Sequence, residues 1–226
     1  MCFGTKQKNY KVKEFLKHNG LYFGLYLSAL LVAVYFLLSY DKIALHQIIN
    51  GWVGNPYVNT FFKYFTHVGD GVFAVVLGVV VLIFSVKKGM YVLLSYACAG
   101  ICSSTIKYFA NYVRPFHFFV YYKKHVKLNL VDGVEMLGER SFQSGHSITA
   151  FAVFTALALS TGNKMVKIIF FIIAFNAAFS RVYLSQHWLV DIFVGSLIGT
   201  TFAVLLYFVF YKTTKFDIKL NIFKPN

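Results

Sequence analysis

The chain is 226 residues long, 58% hydrophobic and only 13% charged, a balance that excludes an ordinary soluble domain and makes lipid the solvent for most of it. Its net charge of +14 would suggest nucleic acid in a soluble protein. No basic stripe or reading motif accompanies that charge, and the cations fall between apolar stretches, so nucleic acid is excluded as a partner and the bilayer is required as one.

The N-terminal segment carries Lys6, Lys8, Lys11, Lys13 and Lys17 ahead of an apolar stretch at 21–40. A signal peptide has a shorter core and a small-residue cleavage site, so this stretch is read as a retained span. Residues 43–65 mix Trp52, Tyr57, Phe61, Phe62, Tyr64 and Phe65 with polar side chains around an Asn55–Pro56 turn signal, the pattern of an interfacial helix with aromatics at headgroup depth. Gly69, Asp70 and Gly71 then turn the chain into a short second span at 72–86, and further spans follow at 90–110, 146–162, 166–184 and 188–211. The others approach or exceed the roughly 20 residues that a helix needs to cross a bilayer.

The expected fold is therefore all-α: one membrane-embedded domain over residues 1–226, a six-transmembrane helical bundle with an interfacial helix between the first two spans. If the spans alternate, Lys87, Lys88, Lys164, Lys167, Lys212, Lys215, Lys219 and Lys224 lie on the side of the N-terminal lysines. The positive-inside tendency then puts both termini in the cytoplasm and the two long connections, 41–71 and 111–143, outside. Cys2, Cys98 and Cys102 are too few for a disulfide framework, and the latter two read as small residues at a helix interface.

Charged residues close to a bilayer are costly, so those at span ends suggest function. Lys107 and Arg114 precede Pro115 at the outer end of the third span; if the helix continues to Arg114, seven residues place both cations on one face. Alone, snorkelling cations at a span end would explain them equally well. Gln143, Ser144, Gly145 and His146 lead into the fourth span, where Ser144 can cap the helix and its free amides favour an anion. The bland alternative is a capped helix start with an interfacial histidine. Ser180 and Arg181 precede His187 and Asp191, which on a helix are four apart, so the carboxylate can hold one imidazole nitrogen and leave the other basic. Histidine and aspartate at this spacing are also a common structural pair. Taken together, three cations, two histidines, a carboxylate and a helix N-terminus on one side of the membrane form the inventory of a phosphate site.

These residues resemble the type-2 phosphatidic acid phosphatases, a family that shares its site plan with vanadium haloperoxidases. The family pattern is KxxxxxxRP, PSGH and SRxxxxxHxxxD; the chain reads KYFANYVRP, QSGH and SRVYLSQHWLVD, in the same order and spacing, over residues 107–191. The resemblance implies that His187 is the nucleophile forming a phosphohistidine, Asp191 its partner and His146 the acid that protonates the leaving group. Lys107, Arg114 and Arg181 match the phosphate clamp, completed by Ser144 and the Gly145 amide. No cofactor and no metal are implied, and the partner is a phosphorylated membrane lipid. Gln143 stands where the family usually has proline, which bears on loop rigidity and removes no catalytic group.

A metal hydrolase using His146, His187 and Asp191 as ligands fits less well, because three cations would repel a divalent ion and no HExxH spacing is present. A lipid phosphotransferase would use the same groups. A non-catalytic anion-binding protein or transporter would need only the cations, and haloperoxidase activity suits a membrane chain poorly. Undecaprenyl pyrophosphate, phosphatidate, phosphatidylglycerol phosphate and lipid A all present phosphate at headgroup depth. Phe116, Phe118, Phe119, Tyr121 and Tyr122 beside Lys123, Lys124 and Lys127 suit any of them, with His117 and His125 read as solvated loop residues. Small size and short loops favour a bacterial inner-membrane enzyme whose site faces the periplasm or exterior.

Overall fold

The computed structural model describes residues 3–110, 112–136, 138 and 141–213, with side chains over 13–211 apart from the gaps. Cys2, Lys215, Lys219 and Lys224 lie outside the described residues, as do the side chains of Lys6, Lys8, Lys11 and Lys212. The elements in chain order are α1 (Phe3–Ser39), α2 (Lys42–Asn50), α3 (Pro56–Phe65), a 3-10 turn (Thr66–Gly69), α4 (Gly71–Phe84), α5 (Val86–Phe109), α6 (Pro115–Tyr122), α7 (Gly145–Leu159), α8 (Lys164–Tyr183) and α9 (Leu189–Phe208), which runs into a π turn (Val209–Thr213).

This is an all-helical membrane protein. Among the described residues α1, α5, α8 and α9 are long and apolar enough to cross a bilayer, and the segment Pro56–Gly69 joined to α4, bent by 62°, would make a fifth such unit. Helix α7 is apolar but short. Large side chains such as Leu31, Leu38, Val72 and Ile101 are exposed on the outside of the bundle, which costs nothing where the surroundings are acyl chains.

Helix α7 is the axis of the bundle: all but three of its fifteen residues are buried, against α9, α8, α5 and α4. Apolar burial gives no drive between helices in lipid, so small residues that let backbones approach do the work. Gly195 and Gly199 on α9 show it directly. A Cβ at Gly199 would stand 2.5 Å from the Ile148 carbonyl oxygen and 2.8 Å from the Ala152 nitrogen, and one at Gly195 would stand 2.9 Å from the Ser144 carbonyl oxygen. Hydroxyls tie the outer helices on: Tyr22 pairs with Thr155 at 2.6 Å, Tyr26 with Ser196 at 3.2 Å, and Tyr91 donates to the Ala203 carbonyl at 2.6 Å.

Several sequence expectations shift. The segment 43–65 is helical but in two pieces, because Asp41 caps α2 and Asn55 caps α3, with Pro56 opening the latter. The connection 111–143 contains α6, begun by Pro115 and anchored by Phe119, which is buried against His46 and Trp188. His117 accordingly sits half-buried on α6, stacked with Tyr121, rather than in an open loop. Lys167, grouped above with the loop lysines, is buried in the first turn of α8, its ammonium bonded to the His18 carbonyl and the Asn19 side chain. Cys98 and Cys102 are free and half-buried on α5.

The α9 glycines give a direct check. Gly199→Ala should destabilise the protein by about 1–3 kcal/mol, seen as a lowered Tm in detergent. Gly100→Ala, where a Cβ would meet nothing within 4 Å, should leave the Tm unchanged or raise it.

Candidate functional site

Lys107 lies in the last turn of α5, which ends at Phe109. The helix does not continue to Arg114, so the two cations do not share a helical face. Pro115 disfavours helical geometry in the residue before it, and Arg114 is extended at φ −68°, ψ 155° as the N-cap of α6. From there the buried guanidinium reaches inward. Its Nε donates to the Gly138 carbonyl at 2.6 Å, and Nη1 donates to the Gln186 carbonyl at 2.8 Å and faces His187 Nε2 at 3.0 Å.

His187 sits just ahead of α9, in the turn that follows α8, and not on the helix as its spacing from Asp191 suggested. Trp188 is the N-cap, and Asp191 in the first turn accepts from the Trp188 amide at 2.9 Å. The same carboxylate oxygen accepts the Ser141 hydroxyl and lies 3.4 Å from His187 Nδ1. The tautomer with its proton on Nδ1 suits both neighbours, Asp191 as acceptor and Arg114 as donor to Nε2. Burial pushes the His187 imidazole down to about 3; Asp191 opposes that shift, and the charges of Arg114 and Arg181 add to it. A base whose pKa is lowered stays uncharged as pH falls through the ordinary histidine value of 6.5. Nε2 therefore keeps its lone pair at neutral pH.

The turn that presents His187 is held by α2. Ser185 adopts φ +54°, a left-handed geometry costing about 1–2 kcal/mol for a non-glycine residue. His46 Nε2 lies 3.2 Å from its hydroxyl, which also accepts from Asn50 at 3.4 Å, while its carbonyl accepts the Phe116 amide at 3.3 Å.

The N-terminus of α7 forms the opposite wall. Ser144 caps the helix by accepting from Ser147 at 3.3 Å, and its own amide donates to the Asp191 carbonyl at 3.2 Å. A Cβ at Gly145 would stand 3.4 Å from Lys107 Nζ, so the ammonium overhangs the helix start. Gln143 is wholly buried, its amide donating to the Ser103 carbonyl at 3.1 Å while Ser103 donates back at 3.2 Å. A side-chain clamp to α5 thus holds the loop where proline usually stands. His146 turns Nε2 to Asp70 at 2.6 Å.

Arg181, buried on α8, donates from Nη1 to Thr66 at 2.8 Å, while its Nε finds no acceptor among the described residues. Lys107, Arg114 and Arg181 are close enough for their charges to oppose one another, with Asp191 offsetting Lys107 and Arg114 and Asp70 offsetting Arg181. Three cations against two carboxylates among the described residues, an orphaned guanidinium N–H and a helix N-terminus favour an anionic oxygen here. All eight residues named from the sequence border this place. Sequence reasoning missed Thr66, Asp70 and Ser141. Asp70 carried a usable signal, a charge beside a span of the kind that singled out Lys107; Thr66 and Ser141 carried none.

Fold and site together define a helical membrane protein with three cations gathered around an uncharged, carboxylate-facing histidine. The chain belongs to the PAP2 superfamily, whose family model matches residues 88–215, and its class is that of membrane lipid phosphatases. It is 28% identical over 188 residues, 76% of this chain and 81% of the relative, to phosphatidylglycerophosphatase B of Bacillus subtilis (strain 168). The crystal structure of Aquifex aeolicus LpxE superposes with a TM-score of 0.64 at 28% identity, over 73% of this chain and 93% of that one. The first transmembrane PAP2 type phosphatidylglycerolphosphate phosphatase from Bacillus subtilis does so with a TM-score of 0.62, over 86% of this chain and 98% of that one. At 24% identity the latter likeness is one of fold.

The clamp can be tested separately from the chemistry. Gln143→Ala should lower stability by about 1–3 kcal/mol, through lost bonds and a stranded Ser103 hydroxyl. Ser103→Ala should cost less, because the bond from the Gln143 amide to the backbone survives. The double variant should unfold at or slightly above the temperature of Gln143→Ala alone, since the stranded hydroxyl is gone, which calorimetry would read as strong coupling.

Proposed function

We propose that the chain hydrolyses a phosphate monoester or pyrophosphate on a lipid headgroup through a phosphohistidine at His187. The observation that carries this reading is the placement of the buried, uncharged His187 ring, with Nδ1 toward Asp191 and Nε2 3.0 Å from an arginine N–H. When a phosphoryl group arrives, Arg114 exchanges Nε2 for a phosphate oxygen, and Lys107, Arg181, the Ser144 hydroxyl and the Gly145 amide share the rest of its charge. The Nε2 lone pair then attacks phosphorus as the bond to the lipid oxygen breaks, and His146 gives that oxygen a proton. In the second half His146 takes a proton from water, whose oxygen attacks phosphorus as the bond to His187 Nε2 breaks. Phosphate leaves and His187 is restored.

The reading needs no metal ion, since cationic side chains meet the developing charge and a guanidinium, not a vacant coordination position, faces Nε2. The name of the phosphatidylglycerophosphatase B relative favours a glycerophospholipid phosphomonoester as substrate. The reading also keeps the six-span topology, with α2 and α3 interfacial, both termini cytoplasmic and the site on the outer side of a bacterial inner membrane, in line with the lysine distribution.

Two experiments test it. The first compares a lipid phosphate with an aryl phosphate, both in chelator. Wild-type turnover should survive the chelator, and loss of the general acid in His146→Ala should cost about 10²–10⁴-fold on the lipid and much less on the aryl substrate, whose leaving group departs unprotonated. His187→Ala should be inactive on both. Equal rescue of the two variants would show the roles misassigned, and restoration of activity only by a divalent ion would replace this reading with a metal-dependent one. The second experiment places single cysteines at Lys124 and Lys164, both exposed, in a chain otherwise free of cysteine. An impermeant reagent added outside should label the first and spare the second, and the reverse pattern would invert the topology.

A further inference from the structure

Asp70 is the N-cap residue of α4 by backbone geometry, at φ −74° and ψ 147°, yet its side chain makes no capping bond to that helix. Aspartate is a favoured N-cap because its oxygen satisfies a free amide there. Here both oxygens are used elsewhere: Oδ1 lies 2.6 Å from His146 Nε2, and Oδ2 lies 2.7 Å from His67 Nδ1.

The backbone is shaped to bring this about. A Cβ at Gly69 would stand 2.9 Å from the His146 Cβ and 3.1 Å from its carbonyl oxygen, so only glycine lets the turn before α4 close on the start of α7. The same turn carries Thr66, which receives Arg181 at 2.8 Å. The three side chains grade from outside to inside, His67 being 67% exposed, Asp70 35% and His146 22%.

We infer that Asp70 is a positioning residue for the phosphatase reaction: it holds the His146 ring by Nε2, leaves Nδ1 to meet the leaving oxygen, and with His67 links the ring to the exposed surface. The inference rests on the proposed role of His146 as general acid. An acid with both ring nitrogens protonated carries a positive charge, and it stands here among Lys107 and Arg181, which disfavour one more. A carboxylate on the far nitrogen supplies the counter-charge, as Asp191 does for His187. The proton balance is simple. His146 loses one proton to the departing alkoxide and regains one from the attacking water, and Asp70 and His67 connect the ring to the exposed surface, so that either transfer can be equilibrated with solvent.

The test uses the full chain in detergent, with phosphatidate and 4-nitrophenyl phosphate as substrates. Asp70→Asn keeps the shape, caps nothing less than before and should unfold within a few degrees of the wild type. It should lower kcat on phosphatidate by about 10–100-fold with KM nearly unchanged, and lower the burst rate of 4-nitrophenol release, which precedes the water step, by less than about threefold, because that leaving group needs no acid. Added to His146→Ala it should cost nothing further. His67→Ala should cost less than Asp70→Asn and regain turnover when imidazole is supplied as a mobile proton carrier. Equal losses on both substrates, or a loss that multiplies with that of His146→Ala, would reduce Asp70 to a structural link and overturn the inference while His146 kept its role. If His146→Ala itself shows no dependence on the leaving group, the general-acid reading fails and this inference with it. Should Asp70→Asn not fold, Asp70→Glu carries the same comparison, the longer carboxylate being expected to retain more of the lipid activity than any neutral replacement that folds.

Discussion

The close approach of α7 and α9 is the constraint on which the site depends. Gly195 and Gly199 let the α9 backbone come within bonding range of α7 at Ser144, Ile148 and Ala152. The two helices begin at the same end of the bundle, one with Ser144, Gly145 and His146, the other with Trp188 and Asp191. Because the axes are locked so closely, the Ser144 amide can donate to the Asp191 carbonyl across the gap, and the two histidine-bearing segments cannot drift apart. In lipid this lock comes from van der Waals contact and backbone proximity rather than from hiding apolar surface, which is why glycines of α9 stand where the two backbones meet.

Charge is the second constraint, and it works against folding until an anion arrives. Lys107, Arg114 and Arg181 oppose one another, and among the described residues the two arginines are held by neutral or backbone groups instead of an ion pair: Gly138 and Gln186 carbonyls for Arg114, Thr66 for Arg181. Holding cations with dipoles leaves them free to turn to a ligand, whereas a carboxylate on each would have to be displaced. Among the described residues the two carboxylates of the site, Asp191 and Asp70, face histidines. In the proposed mechanism Asp191 and Asp70 thereby bear on which imidazole is basic and which is acidic, and the cations are left for the phosphoryl oxygens.

How much of this was legible in the sequence divides by the range of the interaction. Lys107, Arg114, Ser144, Gly145, His146, Arg181, His187 and Asp191 stand at fixed spacings within short motifs, so they could be named before any fold was known. What the spacing misrepresented was the local backbone. Arg114 reaches the site from an extended residue before Pro115, and His187 from a turn before α9, where periodicity alone suggested helix for both. Ser185 at positive φ could not be foreseen, because its stabilisers His46 and Asn50 lie more than 130 residues away in sequence. Asp70 was read only as part of a turn, since its partner His146 is likewise remote, although a charge flanked by glycines beside an apolar run was itself a signal.

The two short helices explain how a water-requiring reaction and a lipid substrate can meet. Helix α4 has 14 residues and α7 has 15, lengths of about 21 and 22 Å, well below the roughly 30 Å of a hydrocarbon core. Their far ends run almost at once into Lys87, Lys88 and Lys164, which the proposed topology puts at headgroup level. In that topology the shortfall is taken up at the near ends, Asp70–Gly71 and Ser144–Gly145. A floor so recessed would place the cations where a headgroup phosphate can reach them without the acyl chains leaving the membrane. The same recess puts charge in a medium of low polarity, where each arginine bond to phosphate is stronger than it would be in water. His67, the most exposed of the three residues in the Asp70 line, then marks the side on which that recess opens toward water.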